Sequence, residues 1–127
     1  MTPNLVLEIL LLLSIKHFII DFPLQTPVQY LNKGTYGHPG GILHSALHGI
    51  GTWLCLAWFT LMAVHLAFVD FVLHYHIDWA KMNLNKRLNL GPLTSEKFWW
   101  LLGFDQLLHS LTYLAIIYCI IQRLMLY

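Results

Sequence analysis

The sequence predicts an all-α protein, an integral membrane four-helix bundle with up-down-up-down topology. Hydrophobic residues make up 57% of its 127 residues and charged residues only 10%, against about 25% charged in an ordinary soluble domain. The apolar segments are long enough for the roughly 20 helical residues that cross the hydrocarbon core of a membrane. Two polar loops separate these segments, and a single transmembrane domain over residues 1–127 follows.

The first helix is predicted at residues 3–22. Thr2 can cap its start, and Pro3 suits the first helical position because the amide that proline lacks would be unpaired there anyway. Pro23 and Pro27 end the helix. A polar loop containing several glycines and prolines follows over residues 25–41.

The remaining helices are predicted at residues 41–60, 62–81 and 95–126. Residues 41–81 are almost continuously apolar, which is enough for two spans joined by a tight turn near residues 58–64. No glycine or proline marks that turn. The stretch 82–96 is polar and is predicted as a loop, after which Thr94 or Ser95 can cap the last helix.

Pairs of potential metal ligands recur along the chain at a spacing of four residues. Residues spaced this way lie one above the other on the same helix face. The pairs are His17 with Asp21, His44 with His48, His74 with Asp78, and Asp105 with His109. In an up-down bundle the pairs fall at the end of the first helix, the start of the second, the end of the third and the start of the fourth. All eight side chains are therefore predicted to lie on one side of the membrane.

A metal site is the predicted role of these eight residues. A single histidine or aspartate on a membrane helix is more often a structural hydrogen-bonding residue, but charged groups at depth are costly unless they are paired, hydrated or bound to metal. Two divalent ions carry +4 against −3 from the three aspartates, which leaves room for a hydroxide. Two ions are therefore predicted, with zinc favoured and iron, manganese, copper or nickel as alternatives. Heme is a further alternative, although the aspartates have no task in a heme pocket.

Other polar residues are predicted around the mouth of this site. Gln25, Lys33 and Lys81 are expected to contact an anionic substrate, and Gln106 lies in the same region. Gln25, Lys33 and Lys81 are the candidate catalytic residues. Interfacial lysines, however, often only mark the topology of a membrane protein.

Asp70 is one helical turn before His74 on the same face. It is expected either to orient a ligand imidazole or to bond the backbone of a neighbouring helix. The remaining histidines are interpreted as background: His38, His65 and His76.

Charge predicts the orientation in the membrane. Basic residues crowd the side of the metal site, and Arg123 is the basic residue of the other side. The positive-inside rule then places the site in the cytoplasm and both termini outside. The crowded residues are Lys16, Lys33, Lys81, Lys86, Arg87 and Lys97. With a net charge of +1 and no basic cluster, no nucleic-acid partner is expected.

Several spaced motifs resemble one family over nearly the whole chain. They are His17-Phe-Ile-Ile-Asp21-Phe22-Pro-Leu-Gln25, Asn32-Lys33, His44-x-x-x-His48, His74-x-x-x-Asp78-x-x-Lys81 and Asp105-Gln106-x-x-His109. The chain is similar to the small bacterial and phage membrane proteins grouped as domain of unknown function 3307. The resemblance implies a membrane location, here the bacterial inner membrane, and no particular activity. The histidine spacing also looks distantly like membrane-bound metal-dependent hydrolases, which is analogy alone.

Three functions are compatible with these features. The first is a hydrolase whose metal ions act on a lipid or lipid-linked phosphate at the cytoplasmic leaflet. In the second, the ions are structural or are transported. The third is a phage accessory protein that contacts a host membrane component. Structural zinc sites are filled by protein ligands whereas catalytic sites keep one position open. Eight ligands for two ions are compatible with either kind of site, because bridging carboxylates free positions, and the sequence favours the hydrolase slightly.

Overall fold

The computed structural model describes residues 2–125 and contains helices only. The helices are α1 (Pro3–Asp21), α2 (Pro27–Asn32), α3 (Pro39–Leu56), α4 (Ala63–Arg87) and α5 (Glu96–Met125). No strand occurs within the described range, so the predicted all-α class is confirmed. Residue 126, the predicted end of the last helix, lies outside the described residues.

Hydroxyl side chains cap the first and last helices. The Thr2 hydroxyl oxygen accepts a hydrogen bond from the Leu5 amide at 3.3 Å, and Pro3 occupies the first turn, as predicted. At α5 the Ser95 hydroxyl oxygen accepts from the Lys97 amide at 3.3 Å. Ser95 is therefore the cap of this helix, because the Thr94 hydroxyl instead donates to the Gly91 carbonyl.

The predicted loop over residues 25–41 was wrong in part, because it contains α2. Pro27 stands at the start of this short helix, and the Gln29 side-chain oxygen accepts from the Thr26 amide at 3.1 Å. Gln29 thus provides the second half of a capping box. The prolines and glycines of this segment are typical of a loop, which is why the sequence does not predict the helix. The next helix begins at Pro39, two residues before the prediction, because the His38 ring Nδ1 accepts from the Gly40 amide.

The turn between α3 and α4 and the end of α4 also differ from the prediction. The turn begins after Leu56 and α4 starts at Ala63. Residues 82–87, predicted as loop, continue α4, and Asn89 then adopts a left-handed φ of 52°. The Leu90 amide donates to the Asn85 carbonyl and the Asn89 amide to the Lys86 carbonyl. This is the Schellman pattern, in which asparagine replaces the usual glycine.

The four long helices pack in a ring that is apolar at one end and polar at the other. α1 and α4 each contact both α3 and α5, and α2 packs on α3. The apolar end combines the start of α1, the end of α3, the start of α4 and the end of α5, so successive long helices run in opposite directions. Its buried residues are Ile9, Leu13, Leu56, Ala63, Leu66, Tyr113, Ile116, Ile117 and Ile120.

The outer surface of the helices is largely apolar. Large hydrophobic side chains such as Leu11, Phe18, Phe68 and Leu114 are at least half exposed, the reverse of the pattern in a water-soluble domain. By length and composition, two helices could cross a membrane: Pro3–Asp21 and Glu96–Arg123.

A close approach of α3 and α4 at Gly49 should be sensitive to one added methyl group. A Cβ at Gly49 would lie 3.0 Å from Phe71 Cβ and 3.1 Å from the Ala67 carbonyl oxygen. Gly49→Ala should therefore lower the free energy of unfolding by about 1–3 kcal/mol, the usual cost of overpacking. Gly103 is the matched control, since no described atom lies within 4 Å of its Cβ position. Gly103→Ala should be neutral or stabilising by up to about 1 kcal/mol. Equal melting temperatures for the two variants in detergent would contradict this packing.

Candidate metal centre

All eight residues of the predicted metal site lie together in the polar end of the helix ring, and each is at most 8% exposed. They come from four helices, because each i, i+4 pair projects from one helix face toward the interior. His44, His48 and His74 are completely buried. The convergence that was expected from spacing and topology is therefore present.

The first potential ligand group consists of Asp21, His44, His48 and His74. The Asp21 Oδ1 atom lies 3.0 Å from His44 Nε2, 3.1 Å from His48 Nε2 and 3.7 Å from His74 Nε2. His44 Nε2 and His74 Nε2 are 3.1 Å apart. Four ligands at zinc bond lengths in a tetrahedron lie about 3.3–3.5 Å from one another, so these distances suit a four-coordinate ion.

The second group consists of His74, Asp78 and His109. Asp78 Oδ1 lies 3.4 Å from His109 Nε2, while Asp78 Oδ2 lies 3.4 Å from both His44 Nε2 and His74 Nε2. The two oxygens of one carboxylate thus face the two groups. Asp105 extends the second group, because its Oδ1 lies 3.5 Å from His109 Nε2.

Two atoms that face each other in the second group have unused bonding capacity. His109 Nε2 and Asp105 Oδ1 are buried and have no hydrogen-bond partner among the described residues. A buried polar atom without a partner costs about 1–3 kcal/mol, and a cation between the two would remove that cost. The donor set of both groups, imidazole with carboxylate, therefore fits a divalent transition metal.

His17 lies beside the first group but outside it. Its Nε2 is 3.1 Å from Asp21 Oδ2 and 3.0 Å from Gln106 Oε1, and its Nδ1 is 2.8 Å from the Tyr113 hydroxyl. The Gln106 side-chain nitrogen donates to Asp105 Oδ2 at 3.2 Å. In this arrangement His17 and Gln106 orient the carboxylates that face the potential ions.

The three predicted catalytic residues occupy different places. Lys33, expected at the mouth, is instead buried, with its Nζ 2.8 Å from Asp78 Oδ2. It enters the interior because it directly follows α2, which packs on α3. Lys81 is partly exposed, and its Nζ lies 3.5 Å from Asp105 Oδ2. The Gln25 side-chain nitrogen donates to the backbone carbonyl of Asp21, at the end of α1.

Two lysines change the charge balance within the cluster. The three aspartates supply −3, and the ammonium groups of Lys33 and Lys81 supply +2, so the ionised side chains sum to −1 when the histidines are neutral. The Lys33 ammonium group forms an ion pair with Asp78 Oδ2, the same oxygen that faces His44 and His74. An ion bound there must displace that ammonium group or share the oxygen with it.

A buried network lies directly beneath the cluster, on the side of the apolar core. Lys16 Nζ donates to Asp70 Oδ2 at 2.9 Å and to the Tyr113 hydroxyl at 3.0 Å. The Thr52 hydroxyl donates to the same Asp70 oxygen at 2.5 Å. The sequence predicts that Asp70 orients a ligand imidazole or bonds a neighbouring backbone. Among the described residues its partners are instead the side chains of Lys16 and Thr52.

This network contacts two of the predicted metal ligands from the side of the apolar core. Lys16 Nζ lies 3.5 Å from both His48 Nδ1 and the His48 carbonyl oxygen, and Tyr113 contacts His17. The sequence reasoning missed Lys16, Thr52 and Tyr113. The signal was present, since the spacing of four continues for one more turn, from His48 to Thr52 and from His109 to Tyr113.

The background histidines stay outside the cluster. His38 caps α3, and His76 is exposed on α4, with its Nε2 3.1 Å from the Tyr36 hydroxyl. His65 is also exposed. None of the three belongs to either ligand group within the described residues.

Comparison with known proteins gives a family and no function. No curated protein and no solved structure matches the chain. The family model described as "Protein of unknown function (DUF3307)" matches residues 9–126. Because that match covers nearly the entire chain, this protein belongs to the DUF3307 family.

Proposed function

We propose that this protein is a membrane-embedded hydrolase with a dinuclear metal centre, acting on a lipid or lipid-linked phosphate at the cytoplasmic leaflet. The observation that carries the proposal is Asp78, whose two carboxylate oxygens face two separate sets of ligands. A carboxylate in this position can bridge two ions about 3.5–4 Å apart, the spacing of two-metal hydrolytic sites.

The two ions would differ in coordination. Asp21, His44, His48 and His74 provide four protein ligands for the first ion, and Asp78 Oδ2, as the bridge, provides a fifth. The Nε2 of His74 has one lone pair and serves one ion only. The second ion then has Asp78, His109 and Asp105, and three protein ligands with one open position are typical of catalytic zinc. Zinc is the proposed metal, with iron and manganese as alternatives.

Two lysines near the site would neutralise the charge of a phosphate. Divalent ions at such a site supply a hydroxide nucleophile at neutral pH and polarise a phosphoryl oxygen. Lys33, released from Asp78 when the ions bind, and Lys81 at the edge of the cluster would then contact the phosphate oxygens. Both ammonium groups favour the more negative transition state.

The proposed membrane placement rests on the apolar exterior and on the exposed basic residues. With Lys16 and Lys33 buried in ion pairs, Lys86, Arg87 and Lys97 are the exposed basic residues at the metal end. Because these residues outnumber Arg123, the positive-inside rule supports the proposal that this end faces the cytoplasm and both termini lie outside. The bacterial inner membrane is the proposed location.

Hydrolysis can be tested with purified, zinc-loaded protein and phosphatidic acid in mixed micelles, by measuring released inorganic phosphate. Lys81→Ala should reduce turnover about a hundredfold, the usual cost of losing one group that stabilises transition-state charge. It should leave the metal content and the melting temperature unchanged, because Lys81 is only partly buried.

The matched control is Lys97→Ala, which removes an exposed lysine at the same end of the protein and should keep full turnover. If the metal only stabilises the protein and no catalysis occurs, Lys81→Ala should change neither phosphate release nor the metal content nor the melting temperature. Phosphate release no faster than from the metal-depleted protein would contradict the hydrolase.

A further inference from the structure

An apolar groove runs between α4 and α5 and opens on the outer surface. Its volume is about 310 Å³, within the range of ligand pockets, which is roughly 300–1,000 Å³. Leu73 and Phe104 at its walls are 41% and 55% exposed, so the groove faces the surroundings of the helices. The apolar walls are formed mainly by Leu73, Ile77, Leu101, Phe104 and Leu108.

The groove differs from an ordinary lipid-facing depression because Lys81 and Asp105 also line it. Asp105 is only 2% exposed, and its Oδ1 atom lacks a hydrogen-bond partner among the described residues. That same oxygen faces His109 in the second ligand group. The groove therefore reaches the Asp105 side chain, whose buried Oδ1 atom borders the proposed open coordination position.

A second pocket of about 420 Å³ adjoins the groove at Lys81 and is lined by both apolar and polar side chains. Lys86 adds a second ammonium group, and Asn85 and Asn89 add amide groups. Two cations and several amides suit an anionic group, and exposed basic residues near a membrane attract anionic lipids.

We propose that the groove and the pocket together bind one anionic lipid, which enters sideways from the membrane. One acyl chain lies along the apolar walls between α4 and α5, and a phosphomonoester head group lies between Lys81 and Lys86. Because Lys81 also contacts Asp105, the head group would lie next to the residues that would hold the second ion. This inference rests on the proposed function, because it assigns the substrate position of that same site.

Binding can be measured separately from turnover with a phosphonate analogue of phosphatidic acid, which cannot be hydrolysed. The zinc-loaded protein in detergent should retain this lipid in native mass spectrometry and should prefer it over phosphatidylcholine. Ala80→Trp fills the groove, which Ala80 lines, and should weaken binding at least about tenfold, equivalent to 1.4 kcal/mol. Ala115→Trp is the matched control, since Ala115 is exposed on α5 outside the groove, and it should bind normally.

The head group and the chain can be distinguished in the same experiment. Lys86→Gln should reduce the preference for the phosphonate lipid over phosphatidylcholine, and glycerol 3-phosphate should compete poorly because it has no acyl chain. Equal binding by the Ala80→Trp and Ala115→Trp variants, or full competition by glycerol 3-phosphate, would overturn the lipid groove even if phosphatidic acid is hydrolysed. Normal lipid binding without phosphate release would instead overturn the hydrolase and leave the groove intact.

Discussion

Asp78→Ala is expected to release both metal ions, whereas Asp105→Ala is expected to release one. Asp78 faces both ligand groups, with Oδ2 toward His44 and His74 and Oδ1 toward His109. Asp105 contacts His109 of the second group only. Elemental analysis should therefore find about two ions per chain in the unmodified protein, fewer than one in Asp78→Ala, and about one in Asp105→Ala.

The two variants control for each other, because both remove a carboxylate that is 2% exposed. Bound metal also stabilises the folded state by mass action, so the melting temperature should fall further for Asp78→Ala than for Asp105→Ala. Identical metal loss in the two variants would contradict a bridging role for Asp78. Unchanged metal content in both would contradict the assignment of either residue as a ligand.

The Lys16–Asp70 ion pair should have the second large effect. Lys16 Nζ and Asp70 Oδ2 are 2.9 Å apart, and both side chains are at most 6% exposed. Lys16→Met keeps most of the side-chain volume but leaves the Asp70 carboxylate buried, with the Thr52 hydroxyl as its one remaining partner among residues 2–125. Removing one member of a buried pair costs about 3–5 kcal/mol, and chemical denaturation in detergent should show a loss of this size.

A double variant separates the ion pair from simple packing. Lys16→Met combined with Asp70→Leu removes both charges and should recover most of the lost stability, because apolar replacements of buried pairs are often neutral or stabilising. Lys97→Met is the surface control and should change the free energy of unfolding by less than about 0.5 kcal/mol. A double variant that is less stable than Lys16→Met would contradict this account of the pair.

The position of the candidate site could be predicted because two periodic signals coincide. The i, i+4 spacing places His44 above His48 and His74 above Asp78 on single helix faces. The alternation of apolar segments and polar loops then brings those faces to the same end. Neither step requires knowledge of side-chain contacts, and the structure brings all eight residues together.

The partners of the lysines could not be predicted by the same reasoning. The sequence predicts Lys16 and Lys33 at the membrane surface, since a lysine near the end of an apolar segment is usually interfacial. Their burial depends on carboxylates from distant helices, Asp70 for Lys16 and Asp78 for Lys33. These pairs are tertiary contacts that no local pattern in the sequence encodes.

The predicted end of the third long helix was wrong for a related reason. Polarity marks a loop only where the polar side chains need water, and Asn83 in α4 has other partners. Asn83, predicted in a loop, instead donates to the carbonyl oxygens of Trp79 and Gly34. Such contacts extend α4 past the apolar segment to Arg87.

Anomalous diffraction at the zinc edge, from crystals of protein purified with zinc, tests the dinuclear centre most directly. We expect two peaks about 3.5–4 Å apart, on either side of the Asp78 carboxylate. One should lie among Asp21, His44, His48 and His74, and the other among Asp78, Asp105 and His109. A single peak would contradict the bridged pair of ions. The absence of any peak, with Asp78 still paired to Lys33, would contradict the metal centre itself.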